Sequence, residues 1–263
     1  PLRFRPAYEG DHDPMLMSVI ARCAESVATP EITGSRVLIS GLTPSSGFDI
    51  ARTFADHGAR LVVQSPDDGP AMTELGAVLS ENAAEILLFN DPLASDEDAR
   101  RLVQAAVQDF GGLDVVVNLV SVDAEAIAAL ETMEDVEGLV AETLRLPFLL
   151  TEYAANRMRL VWTEGTILNV VRIGASRSGR AMMFTDVLRA RLADMTRGLA
   201  EDWAEAGIRV NAIAPPSSVA VMSGDVAASD ADLASVALDL ASRKARSVTG
   251  HVLDAEGAAR RWC

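Results

Sequence analysis

Residues 165–216 read GTILNVVRIGASRSGRAMMFTDVLRARLADMTRGLAEDWAEAGIRVNAIAPP, and this stretch decides the fold. It predicts an apolar strand at 166–171, one long helix at about 181–206 and a second apolar strand at 208–213. Apolar residues recur every three or four positions along the helix, and Gly207 follows its last turn, where a glycine commonly ends a helix. A strand, a crossover helix and a strand make the unit of a parallel α/β sheet. The stretch therefore predicts a parallel sheet covered by helices.

The composition suits a single α/β domain and argues against several classes of partner. The chain has 263 residues, of which 49% are hydrophobic, and its formal net charge is −15. This acidic balance argues against nucleic acid and anionic membranes as partners, because both repel a negatively charged protein. No apolar run approaches the roughly 18–20 residues of a membrane span. The two cysteines and three histidines are too scattered for a metal site, so no metal is expected, and a reducing cytoplasm is the expected location.

Further elements are predicted on both sides of this stretch. Strands are predicted at 36–40, up to residue 64, at 86–90, within GGLDVVVNLVSVDA and at 251–253, and helices at about 95–110, 133–158 and 230–241. Residues 1–34 form an extension, in which apolar residues at helical spacing after Asp13 and Pro14 predict one helix. That helix either covers its own domain, or docks on a partner subunit or over the cofactor cleft.

The segment LADMTRGLAEDWAEAGIRVNAIAP resembles the short-chain dehydrogenase/reductase (SDR) family, which has nearly the same residues before and within its sixth strand. The resemblance implies a Rossmann-like, doubly wound α/β fold with a seven-stranded parallel sheet flanked by helices. It also implies a single domain at 35–263, preceded by the helical extension at 1–34.

The positions that carry catalysis in this family hold other residues here. Family members place a Ser after the fifth strand, a Tyr thirteen residues later and a Lys four residues after the Tyr. Alignment on TRGLAEDWAEAGIRVNA puts Arg172, Thr185 and Arg189 at these positions, and the family's catalytic Asn aligns with Thr143. An aliphatic hydroxyl has a pKa far above that of a phenol, and an arginine does not titrate near neutrality. We therefore expect no catalytic residue in this chain.

The family's glycine motif, T-G-x-x-x-G-x-G, is only partly present. In SGLTPSSG, Gly41 and Gly47 keep the first and last glycines, and Ser45 replaces the middle one. Such glycines let the main chain approach a cofactor diphosphate at a helix N-terminus. Asp49 adds a carboxylate to the first turn of that helix, and at about 4 Å it would repel a diphosphate by about 4 kcal/mol. We expect no cofactor in this chain, although a loop adjustment that still admits NAD(P) stays open.

Parts of the adenosine side of the motif survive. Asp91 aligns with the family's acid that contacts the adenine amino group, and it equally suits capping of the helix at about 95–110. Asn118 keeps the first Asn of the family's N-N-A-G, whereas Ser121 replaces its glycine. Gln64 stands where an acid or a base would contact the ribose, and it is neither.

Three functions remain open, and we prefer the first. In this hypothesis the chain is a non-catalytic SDR-fold subunit that stabilises an active SDR paralogue, and the paralogue carries the NAD(P). The resemblance implies a heterodimer or heterotetramer that associates through the helices at 133–158 and 181–206 and through the C-terminal strand and tail. It implies acyl-thioester or related carbonyl substrates for such a complex.

The other two hypotheses give the chain a ligand of its own. In the second, Arg172 and Arg189 hold a carboxylate or phosphate in a cleft that is free of nucleotide. Each arginine equally suits a salt bridge to a nearby acid such as Asp186. In the third, the chain is a divergent NAD(P)-dependent oxidoreductase, which stabilisation by NADH or NADPH would reveal.

Overall fold

The structure is a computed structural model that describes residues 32–67, 69–174, 178–218 and 229–254. The helix predicted in the N-terminal extension lies outside these residues. None of the helices in the described part of the chain combines the length and the hydrophobicity that crossing a bilayer requires.

Seven parallel strands form one sheet, in the order β3-β2-β1-β4-β5-β6-β7. The strands are β1 Arg36–Ser40, β2 Arg60–Gln64, β3 Glu85–Phe89, β4 Val115–Val122, β5 Thr166–Ile173, β6 Arg209–Ala214 and β7 Val252–Asp254. The seven-stranded parallel sheet predicted from the sequence is confirmed. The strand order reverses between β1 and β4, and in open α/β sheets such a reversal opens a crevice at the carboxyl ends of the strands.

Seven α-helices connect the strands within the described residues. They are α1 Phe48–Asp56, α2 Pro70–Asn82, α3 Asp96–Phe110, α4 Ala124–Ala128, α5 Met133–Leu160, α6 Gly179–Trp203 and α7 Asp230–Ala241. The long helix predicted at 181–206 is therefore α6, and its last residues form a 3₁₀ turn at Ala204–Ala206. Gly207 follows with φ 71°, the left-handed conformation expected of a glycine that ends a helix.

The helices cover both faces of the sheet, which explains why its central strands are apolar along their whole length. Val37 and Ile39 of β1 pack with α1, α2 and α7, whereas Leu38 packs with α3, α5 and α6. Successive residues of a strand point to opposite faces, so a strand buried on both faces needs apolar residues at every position. The result is a three-layer α/β/α domain.

Serine and threonine caps set where several helices begin. Ser95, Thr132 and Ser229 each accept a hydrogen bond from the main-chain N–H of an aspartate three residues later, and that aspartate bonds back to the capping residue. This capping box satisfies N–H groups that have no partner within the helix. The predicted start of α7 after Ser229 is confirmed. The helices that follow β1, β3 and β4 all begin at the carboxyl ends of the strands, where the crevice lies.

Candidate functional site

A cavity of about 420 Å³ occupies the crevice at the carboxyl ends of β1, β2 and β4, with α5 as its outer wall. Its lining includes Gly41, Gln64, Asn118 and Thr143, all of which the sequence comparison placed around a cofactor or a catalytic centre. The fold therefore brings these four distant positions together. Most of the remaining lining is apolar and comes from β4 and α5.

The glycine loop between β1 and α1 is closed by hydrogen bonds within itself. The main-chain N–H groups of Thr43 and Ser46 each donate to the other residue's carbonyl, both at 3.1 Å. The Ser45 hydroxyl lies 3.3 Å from that of Thr43. The Ser46 hydroxyl also accepts a hydrogen bond at 3.0 Å from the hydroxyl of Ser121 at the end of β4. Sequence reasoning missed this serine bridge, since residues 75 positions apart carry no joint signal.

Leu119 on β4 packs directly against this loop. A methyl group on Gly41 would come within 2.2 Å of the Leu119 carbonyl oxygen, and one on Gly47 within 2.1 Å of the Leu119 Cδ1 atom. Both glycines also have positive φ, 75° and 86°. Packing on β4 and the positive φ therefore both favour glycine at these two positions, whether or not a diphosphate ever reaches the loop.

The helix that follows the loop begins without a side-chain cap. Gly47 is the N-cap of α1 and offers no side chain, so the first N–H groups of the helix receive no capping bond. Asp49 lies in the first turn, as predicted, and places a carboxylate beside the positive end of the helix dipole.

The Gln64 side chain, at the position where the family contacts the ribose, forms hydrogen bonds within the protein. Its Oε1 accepts from the main-chain N–H of Gly41 at 2.9 Å, and its Nε2 donates to the main-chain carbonyl of Asp91 at 2.9 Å. Asp91 borders a smaller cavity of about 140 Å³ beside α3. The interpretation of Asp91 as a helix cap is wrong, because Ser95 caps α3 and is closer to its first turn.

Asn118 anchors a buried polar cluster behind the cavity. Its Oδ1 accepts from the Ser40 hydroxyl at 3.1 Å, and its Nδ2 donates to Asn169 Oδ1 at 2.8 Å and towards the Thr151 hydroxyl at 3.5 Å. The Nδ2 of Asn169 is buried without a partner among the described residues. The amide of Asn118 thus ties β1, β4, β5 and α5 together at the base of the crevice.

The Thr185 hydroxyl, at the family's proton-donor position, is hydrogen-bonded within its own helix. Thr185 is 8% exposed and donates to the Ala181 carbonyl at 2.7 Å, and Thr143 likewise donates to the Leu139 carbonyl at 2.7 Å. Such bonds to the preceding turn are common for threonine within helices.

The chain offers few replacements for the missing tyrosine and lysine. Its tyrosines are Tyr8, outside the described residues, and Tyr153. Tyr153 donates to Asp96 Oδ1 at 2.7 Å on the outer surface, and this bond raises the pKa of the Tyr153 hydroxyl, the opposite of what a tyrosine acid/base requires. Lys244 is the sole lysine of the sequence and lies beyond α7, at the other edge of the sheet. The lysine count was readable from the sequence alone.

The two arginines at the family's Ser and Lys positions are both neutralised by acids. Arg172, at the end of β5, forms a 2.8 Å ion pair with Asp230 at the start of α7. Arg189 on α6 forms an ion pair with Asp254 and donates to the Pro215 carbonyl. A salt bridge was one of the two alternatives left open for each arginine, and Asp186, the acid suggested as its partner, was wrong.

Asp186 instead binds the loop that follows β6. It accepts from the main-chain N–H of Ser218 at 3.2 Å and from the Ser218 hydroxyl at 2.6 Å. An anion between Arg172 and Arg189 would have to displace carboxylates, so the anion-binding hypothesis for this pair is not favoured. Residues 219–228, where SDRs carry a lid over the substrate, lie outside the described residues.

Comparisons with known proteins agree on the family. The family model described as Enoyl-(Acyl carrier protein) reductase matches residues 41–228. An uncharacterized oxidoreductase of Thermotoga maritima is 32% identical over 185 residues, which are 69% of this chain and 71% of the relative. Momilactone A synthase of Oryza sativa is 30% identical over 253 residues, 86% of this chain and 90% of the relative.

Solved structures show the same fold. A short chain dehydrogenase from Mycobacterium avium superposes with a TM-score of 0.69 at 26% identity, covering 86% of this chain and 83% of the other. A hydroxysteroid dehydrogenase from Escherichia coli has a TM-score of 0.67 at 23% identity, covering 86% and 97%. The chain therefore belongs to the short-chain dehydrogenase/reductase family of NAD(P)-dependent oxidoreductases, and it is a divergent member of that family.

Proposed function

We propose that this chain is a non-catalytic SDR-fold subunit that stabilises a catalytically active SDR partner. The observation that carries the proposal is the state of Thr185. At the position of the family's tyrosine it offers an aliphatic hydroxyl, which is buried and already bonded to the helix carbonyl of Ala181. A hydroxyl of this kind cannot deliver a proton usefully near neutral pH.

The described residues fit NAD(P) poorly, and this poor fit supports the same proposal. The cofactor's nicotinamide half would meet the Arg172–Asp230 and Arg189–Asp254 ion pairs, and its diphosphate would meet the Ser46–Ser121 bridge. In SDR catalysis the ribose is held by a lysine, which Arg189 does not replace while it is paired with Asp254. We therefore assign the NAD(P) to the partner subunit and derive no chemical step in this chain.

The surface of the long helices fits a protein partner. Phe148, at the middle of α5, is 43% exposed, and Met133 at its start is also exposed. Apolar side chains of this size on a helix face are often covered in an assembly. We assign the interface to the exposed faces of α5 and α6 and to the edge strand β7, in a heterodimer or heterotetramer. The active partner would act on acyl-thioester or related carbonyl substrates.

A second function has one observation in its favour. The 420 Å³ cavity lies over β1, β2 and β4, where the adenosine half of a dinucleotide binds in this type of fold, and it is large enough for a small ligand. A chain that binds NAD(P) there would be a divergent oxidoreductase in its own right. A cofactor present at 100 times its dissociation constant would then stabilise the chain by about 2.7 kcal/mol, or about 5–10 °C in Tm for a domain of this size.

The experiment that tests the proposal is co-expression with SDRs of the source organism that carry the complete Ser-Tyr-Lys set, beginning with any that is encoded beside this chain. We expect the two chains to co-purify, and we expect the partner's Tm and turnover to fall when this chain is omitted. The variant Phe148→Asp should weaken co-purification by about tenfold or more, because it removes an apolar contact and buries an unpaired charge in the interface. Val78→Asp is the matched control, because Val78 is 41% exposed on α2, away from the proposed interface.

Two results would overturn the proposal. One is turnover of a carbonyl substrate by the lone polypeptide with NADH or NADPH. The other is a thermal shift of the lone polypeptide with either nucleotide, at the size given above, which would favour the oxidoreductase. Equal loss of co-purification in both variants would remove the interface assignment.

A further inference from the structure

A second large cavity lies at the amino-terminal ends of the strands, whereas the candidate site lies at their carboxyl ends. It measures about 700 Å³ and lies between the amino-terminal ends of β1, β4, β5 and β6 and the turn that follows α7. Ser35, Thr166 and Arg209 form part of its wall on the sheet side. A cavity of this volume accommodates a small-molecule ligand.

Arg209 on β6 places a partly buried guanidinium in this wall. Its Nη1 donates to the carbonyls of Ala245 at 3.0 Å and Val248 at 3.3 Å, and its Nη2 donates to the Thr166 hydroxyl and to the Ser242 carbonyl at 3.4 Å. Burial lowers the pKa of Arg209, because the charged form has lost water. Carbonyls at the carboxyl end of a helix repel anions, and Arg209 covers those that follow α7. Its own charge meets only neutral acceptors among these contacts.

Two more arginines reach the same cavity from the turn after α7. Arg243 and Arg246 both line it, and Arg246 forms no ion pair with any residue in the described ranges. The acids in the described wall are Glu164 and Asp114, and Asp114 is already bound at 2.6 Å by Arg36. Among the described residues of the wall, arginines therefore outnumber acids, in a chain whose formal net charge is −15.

We propose that this cavity binds the oxyanion group, carboxylate or phosphate, of a small molecule. Arg246 donates charge-assisted hydrogen bonds to the oxyanion, and Arg209 supplies a fixed positive charge beside it. Ser247 and Thr249 add hydroxyl groups to the lining; that of Thr249 accepts from a main-chain N–H at 3.1 Å and keeps its own proton for a ligand. The site uses no residue of the cofactor crevice, so it does not depend on the function proposed above.

The test is isothermal titration calorimetry on the isolated full-length chain with citrate and, separately, inorganic phosphate, against chloride at equal ionic strength. We expect at least one of the two oxyanions to bind, and binding to weaken as salt rises, because the arginines are exposed to solvent. Arg246→Ala should weaken binding about tenfold, the loss expected for one charge-assisted hydrogen bond. Binding of citrate alone assigns a carboxylate ligand, and binding of phosphate alone assigns a phosphorylated one.

Lys244→Ala is the matched control. Lys244 is an exposed cation in the same 3₁₀ turn, at Arg243–Ala245, but it does not line the cavity. We expect this variant to bind within about twofold of the native chain, since one exposed charge outside the cavity is largely screened. If neither oxyanion binds more tightly than chloride, or if Lys244→Ala weakens binding as much as Arg246→Ala does, the cavity is not an oxyanion site.

Discussion

Replacing Gly47 by alanine tests what the remaining glycine of the loop is for. The residue has φ 86°, and an L-residue held in the left-handed region costs about 1–2 kcal/mol. The new methyl group would also lie 2.1 Å from Leu119 Cδ1, and overpacking of this kind costs about 1–3 kcal/mol. We expect Gly47→Ala to lower the free energy of unfolding by about 2–5 kcal/mol in total, with no nucleotide present.

The two contributions separate in a double-mutant cycle with Leu119→Ala. Without the leucine side chain the 2.1 Å contact disappears and the nearest remaining atom is Leu42 Cδ1 at 3.3 Å, so alanine at position 47 should then cost little more than the backbone strain of about 1–2 kcal/mol. The coupling between the two positions should therefore be about 1–3 kcal/mol. Gly111→Ala is the matched control, because Gly111 has φ 76° and an added methyl group there meets no atom within 4 Å.

Urea denaturation of the isolated chain at a fixed protein concentration, with linear extrapolation to water, measures each of these free energies. The reasoning fails if Gly47→Ala costs no more than Gly111→Ala, or if its cost is the same with and without the Leu119 side chain. In that case the loop is not held by packing on β4. A requirement for glycine there would then have to come from a ligand.

Three further predictions concern stability. Arg36 lowers the pKa of Asp114, because its hydrogen bonds outweigh the effect of burial. The pair's contribution to the free energy of unfolding should therefore be complete above about pH 4 and be lost as the pH falls through the lowered pKa. Asp114→Asn should flatten this pH dependence in denaturation curves from pH 3 to 7. The Arg172–Asp230 pair, with side chains 34% and 38% exposed, should show a coupling below about 1 kcal/mol in a double-mutant cycle, and a coupling above about 2 kcal/mol would contradict its placement at the surface. Trp162 is 94% exposed with φ 56°, so Trp162→Gly should raise the free energy of unfolding by about 0.5–1 kcal/mol, and a loss of stability would show that the ring has a contact in solution.

Much of the fold could be predicted because its signals are local. The turn at Gly207 and the cap at Ser229 each depend on a few neighbouring residues, and both lie where the sequence indicated. Asp91 shows the limit of such signals. An aspartate before a helix suits either a cap or a ligand contact, and only the structure shows that Ser95 takes the cap.

The sequence by itself determined the parallel α/β architecture and which residue types stand at the family's catalytic positions, because both follow from spacing along the chain. It also excluded the family's Tyr and Lys from their positions on α6, since the chain has Thr185 and Arg189 there. Only the tertiary structure decided that Arg172 pairs with Asp230 and Arg189 with Asp254. It also decided that Arg209 lines one cavity with Arg243 and Arg246, at the amino-terminal ends of the strands. These contacts join residues far apart in sequence, which meet because a parallel sheet aligns the ends of all its strands, and linear spacing carries no record of which neighbours meet there.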